Sequence, residues 1–200
     1  MKLRNILIIF LFALFLTIII YKINSNEKKK RILILGDNYL LELTDLNYIK
    51  LLDKNYIVNN NFTDKNKNYI GIYNDIVDNR CIYNKGKKEC INNEILSSDI
   101  IVINSDNRKY FSKCNKSNRI KKEYNLSEYN NYIKIKNIIK KISNAELIII
   151  GNYCSLYDEE IANYLKKLYI SNSYIDTYDL YNKYKDDFEY YIYKVLISKK

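Results

Sequence analysis

The sequence predicts an α/β domain built on a doubly wound parallel sheet with helices on both faces. Wholly apolar runs recur at Ile32 to Leu35, Ile100 to Ile103 and Leu147 to Ile150, as in strands covered on both faces. Segments with apolar residues at helical spacing alternate with these runs, as parallel crossovers require. No linker rich in Pro, Gly or Ser interrupts residues 32–200, so this stretch is one domain with one core.

Ile32 to Leu35 reads as the first strand, bounded by Gly36, and Leu40, Leu41, Leu43, Leu46, Ile49 and Leu52 then follow at helical spacing. Tyr56, Ile57 and Val58 suggest a weak second strand, and the Asn/Lys-rich 59–68 a loop. A short helix near Asn92 to Leu96 leads to a strand from Asp99 to Ile103 and a polar turn from Asn104 to Asn107. Tyr129, Tyr132, Ile133, Ile138, Ile139 and Ile142 mark an amphipathic helix with Ser127 as its N-cap. Glu146 to Ile150 is a buried strand closed by Gly151. From Asp158 to Tyr169, acids in the first turn and Lys in the last match the helix dipole. Ser173 to Asp176 is a last short strand, and Phe188 to Ser198 a terminal helix.

In such sheets ligands sit at the carboxyl ends of the strands, near the switch point. That rule selects three turns: Gly36, Asp37 and Asn38; Asn104 to Asn107; and Gly151 with Asn152.

Ahead of the domain, Ile6 to Tyr21 is uncharged and apolar, flanked by Lys2 and Arg4 on one side and Lys22 on the other. Its length falls slightly below the roughly 20 residues that span a bilayer, and snorkelling lysines extend the reach. No small-residue cleavage site follows it. The expected organisation is a transmembrane signal-anchor over 1–23, a basic linker over 24–31 and the α/β domain over 32–200. Strict counting of Lys and Arg holds the domain in the cytosol, whereas the short basic head and single apolar segment suit export. The exported orientation is the favoured one.

Charge narrows the partners. The chain carries 33 Lys/Arg against 23 Asp/Glu, but residues 1–31 hold much of the excess. Lys28 to Arg31 suit anionic lipid headgroups, whereas nucleic-acid binding needs a basic face on the domain itself. The lipid bilayer is thus the expected partner, and nucleic acid is not. A weaker basic stretch, Lys116 to Lys141, reads as a solvated helix face and loop.

The chain has no His, Pro or Trp. A Ser-His-Asp triad, a His-ligated metal and imidazole acid–base chemistry are therefore excluded. The four cysteines, Cys81, Cys90, Cys114 and Cys154, include no CxxC pair, so no metal site and no cofactor is expected. Cys81 and Cys90 either close a ten-residue hairpin-like loop as a disulfide, as an exported domain allows, or remain thiols in the cytosol.

A strand followed by Gly36, Asp37 and Asn38 at the start of a helix resembles the first block of the SGNH/GDSL hydrolase family. Ser105, Asp106, Asn107 and Arg108, after their strand, are similar to that family's Gly-x-Asn-Asp block. The late strand, helix and strand over 145–181 resemble the elements before its Asp-x-x-His block. The resemblance implies a three-layer α/β/α domain of flavodoxin-like, SGNH-hydrolase-like architecture, with Gly36, Asp37, Asn38, Ser105, Asp106 and Asn107 at the ligand site. It also implies an oxyanion-hole glycine, either Gly71 or absent, with Asn107 as a second donor.

Asn38 stands where the family has its nucleophilic Ser, and an amide forms no acyl-enzyme. Glu189 falls near the missing His, unless that block is deleted. The expectation is a membrane-anchored, catalytically inactive domain that binds an envelope carbohydrate or acyl ester. The alternative is an esterase with an unconventional carboxylate site using Asp37, Asp106 or Glu189. A phosphate-binding domain ranks last, because neither GxGxxG nor GxxxxGK[ST] is present and Asp37 repels anions.

Overall fold

The computed structural model describes residues 29–37, 56–65, 67–104, 118–151, 159–169 and 173–183, with Phe15, Thr17 and Lys194, and only the backbone of 118–127. In chain order the elements are β1 (Arg31–Asp37), β2 (Ile57–Asp64), α1 (Tyr69–Val77), β3 (Cys81–Asn84), β4 (Lys87–Cys90) and α2 (Ile91–Ser97). There follow β5 (Ile100–Asn104), α3 (Asn118–Ile142), β6 (Glu146–Ile150), α4 (Glu159–Leu168), β7 (Ser173–Ile175) and α5 (Thr177–Lys183).

Five strands form one sheet in the order β2-β1-β5-β6-β7, and every neighbouring pair is parallel. Counted within this sheet, the order is 2-1-3-4-5, the flavodoxin-like arrangement, and its switch point falls between β1 and β5. The apolar runs behave as their composition requires. Leu33, Leu35, Ile101, Ile103 and Ile149 pack on one face with α1, α2, α3 and α4, while Ile32, Ile34, Ile100, Val102, Ile148 and Ile150 are buried on the other.

The helix-side core is strongly aromatic. Tyr132 packs edge-on against Tyr169, with ring centroids 5.2 Å apart, and lies 5.8 Å from Tyr69. All three are fully buried. Burial, reinforced by Tyr129, pushes the Tyr132 hydroxyl well above the usual phenol range. Tyrosine here does the work that Phe and Leu do in less biased sequences.

Several elements differ from the sequence expectation. β1 continues through Gly36 and Asp37, because both pair in register with β2 and Gly36 pairs also with Asn104 of β5. β2 extends to Asp64 across Asn59, Asn60 and Asn61, where a loop was expected. It is an edge strand in which Asn59 pairs with Leu33 of β1 while Asn60 and Asn61 fall at an irregularity of the register, where the Asn61 N–H donates to Asn59 Oδ1 at 3.0 Å, and side-chain polarity costs little at an edge. Glu89 of β4 accepts from Asn61 Nδ2 at 3.1 Å, while Glu94 of α2 accepts from Asn59 Nδ2 at 2.9 Å and Arg31 Nη2 at 3.1 Å. The β3–β4 hairpin and α2 are thereby fastened to β1 and the outer strand.

Helix α1 is an addition to the expected elements, with Tyr69, Ile72 and Ile76 as its buried stripe and Asn68 as its N-cap. α3 begins at Asn118, so Ser127 lies inside the helix and is not its N-cap; no Gly or Pro breaks 118–142. Asp176 is not the end of β7 but the start of α5, accepting from the N–H of Tyr178 at 3.1 Å.

The expected helices at 40–52 and 188–198 lie outside the described residues, as do Cys114 and Cys154. Of the apolar segment 6–21 only Phe15 and Thr17 are described, both helical. Among the described residues no helix is long and apolar enough to cross a membrane.

Candidate functional site

At the switch point two strand ends are clamped together. Gly36 adopts φ +110°, and a Cβ there would lie 1.7 Å from the Asn104 carbonyl oxygen and 2.9 Å from Ile72 Cδ1. Only glycine lets β1 approach β5 this closely. One residue further, Asn104 Nδ2 donates to the Asp37 carbonyl at 2.7 Å. Both side chains are buried, Asp37 at 1% exposure and Asn104 at 2%. Asn104 Oδ1 is buried and accepts no hydrogen bond among the described residues, which is unusual enough for a side-chain amide oxygen to mark a place built for another donor.

Asp64, at the end of β2, is the register partner of Asp37. Its carboxylate accepts from Arg80 and Lys67, and the same two cations hold Asp75 of α1, with Arg80 Nη1 to Asp75 at 3.1 Å. The Arg80 hydrogen bond chiefly lowers the Asp64 pKa, to about 2, outweighing partial burial and helped by Lys67. The quartet is neutral and self-satisfied. It fixes the outer rim of the switch point without leaving a charge to act.

Gly71 supplies no oxyanion donor in this arrangement. It is in the first turn of α1, and its N–H donates to Asn68 Oδ1 at 3.0 Å. Next to it, the buried Glu128 of α3 accepts from the Tyr69 N–H at 3.3 Å, which satisfies a second amide at the same helix end.

Of the predicted site residues, Gly36 and Asp37 lie at the switch point, while Asn38, Ser105, Asp106 and Asn107 lie outside the described residues, as do Asn152 and Glu189. Gly151 is placed at the end of β6, donating its N–H to Ile175 O at 3.1 Å. Asn104, which the sequence marks as the start of a polar turn, is instead the last residue of β5. A polar residue closing a wholly apolar strand was the signal for it, since only a specific partner justifies burying an amide there. Among the described residues no cluster of Cys, Asp and Glu is arranged to hold a metal ion.

No protein-family model matches the chain, and no curated protein matches it in sequence.

Proposed function

We propose that the chain is a membrane-anchored SGNH/GDSL hydrolase-like protein of the cell envelope that binds a carbohydrate or acyl ester at the β1–β5 switch point without hydrolysing it. The reading of the fold class is supported by the strand order and by Gly36 and Asp37 at the end of β1. The observation that carries the functional reading is the buried Asn104 Oδ1, without a hydrogen-bond donor among the described residues, beside Asp37 at the place where such sheets take ligands. Against turnover stand Asn38 in the nucleophile position and a chain without histidine.

An esterase using a carboxylate base is the second reading, favoured by the burial of Asp37 at the end of β1. Asp64 is a poor base for that role, because Arg80 and Lys67 hold it ionised far below neutrality. Export of the domain is supported by the disulfide between Cys81 and Cys90, a bond that persists in oxidising compartments.

The test is hydrolysis of short acyl esters and acetylated sugars by the full-length chain in detergent, with Asp37→Ala and Asn38→Ala beside it. No turnover, together with saturable binding of an acetylated sugar or acyl ester that Asp37→Ala weakens, is the expected result. Turnover abolished by either substitution overturns the inactive reading.

A further inference from the structure

We infer that the pole of the domain opposite the switch point is a seat for anionic phospholipid headgroups, so that the Gly36–Asn104 end faces away from the membrane. The inference rests on the anchor reading of residues 6–21 and adds what the folded domain contributes. The last turn of α3 and the end of α2 meet in a shallow polar basin lined by Leu96, Ser98, Asp99, Lys140, Lys141 and Asn144, among others. This basin lies at the amino ends of the strands. Asp99 accepts from the Arg31 backbone N–H at 2.7 Å, which places the start of β1, with Lys29 and Lys30 just before it, on the same pole.

Lys30, Lys140 and Lys141 are exposed, and none forms an ion pair among the described residues. Of the described acids around this basin, Glu94 is engaged by Arg31, leaving Asp99 and Glu146 against the lysines. Beside the basic rim Leu96 is 65% exposed, an apolar side chain held out at the end of α2. Cations around a protruding leucine match a headgroup layer over hydrocarbon, where each lysine is attracted to anionic lipid and the leucine enters the acyl boundary. Reach agrees with this. The linker from residue 22 to residue 30 extends at most about 30 Å, and because it enters at β1, the basic pole is the one it joins to the anchor.

The chain contains no Trp, so Leu96→Trp in the full-length protein provides a single fluorophore. It is reconstituted in vesicles of phosphatidylglycerol or phosphatidylcholine brominated near the headgroup end of the acyl chain. Strong quenching in phosphatidylglycerol, weak quenching in phosphatidylcholine, and none in either for a Lys65→Trp variant at the far pole are expected. Adding Lys140→Glu and Lys141→Glu weakens the seating roughly tenfold or more and restores the fluorescence. Carbonate-resistant protein whose Leu96→Trp fluorophore is quenched in neither lipid, or equally in both, overturns the seat while leaving the anchor. Protein that carbonate releases from vesicles overturns the anchor reading and the seat with it.

Discussion

The Cβ that Gly36 lacks would overlap the carbonyl oxygen of Asn104 at 1.7 Å. Space and backbone conformation both demand glycine there, whereas Gly86 in the hairpin turn, also at positive φ, has open space around it. Gly36→Ala must therefore push β1 from β5 and is expected to cost more than about 3 kcal/mol, against about 1 kcal/mol for Gly86→Ala. Gly71→Ala, in a helix with only ordinary contacts at 3.5 Å, is expected to stabilise by about 0.5–1 kcal/mol. Thermal unfolding of the three variants checks the ranking, and an unchanged midpoint for Gly36→Ala refutes the close approach.

The Asn104 amide is directional. Asn104→Ala removes the donor to the Asp37 carbonyl and is expected to cost about 1–3 kcal/mol. Asn104→Asp keeps the size but turns a carboxylate oxygen toward that carbonyl in a buried site, so it is expected to be the worse of the two. Denaturant titration decides this. If Asn104→Asp is the milder change, the side-chain amide is not the clasp.

Acid should loosen the rim before it unfolds the sheet. The folded-state pKa of Asp64 lies at about 2, below its ordinary 3.8, so its stabilising contribution is present above pH 4 and disappears as pH falls toward 2. Its side chain is 43% exposed, so screening limits that contribution to about 1 kcal/mol or less. Asp64→Asn should flatten stability between pH 4 and pH 2 relative to the parent. A parent and variant with parallel pH profiles over that window would show that Asp64 titrates normally.

How much of this was legible follows from where each element draws its stability. β1, β5 and β6 announce themselves because burial on both faces requires unbroken runs such as Ile100 to Ile103. β2 does not, since Asn59 is held by pairing with Leu33 of β1, and Asn59 and Asn61 by Glu94 and Glu89, partners distant in sequence. α1 carried a readable stripe in Tyr69, Ile72 and Ile76, masked by the surrounding Asn and Lys of a biased alphabet. At the site, Gly36 and Asp37 were visible as a strand-end motif, whereas the Asn104 clasp needed the β1–β5 pairing to be known. The Asp64–Lys67–Asp75–Arg80 quartet depends on α1 turning back beside β2 and has no local signature at all.

The hairpin offers the clearest test of the compartment. Cys81 and Cys90 are register partners at the open end of β3 and β4, and their disulfide closes ten residues around the Lys85–Gly86 turn. Both turn residues have positive φ, as a tight two-residue connection with the twist of the strands requires. On the inner face Ile82 packs against the core and Glu89 reaches Asn61, whereas Tyr83 is exposed. With so few inward contacts, the hairpin depends on its cross-link, and loop-closure entropy for ten residues is worth about 2–3 kcal/mol. Cys81→Ser with Cys90→Ser should lower stability by that amount, and the backbone amides paired across β3 and β4 should exchange faster. In native cells, alkylation before lysis followed by peptide mass spectrometry should recover 81 and 90 linked to each other. Recovery of both as alkylated thiols would place the domain on the reducing side of the membrane and reverse the proposed orientation.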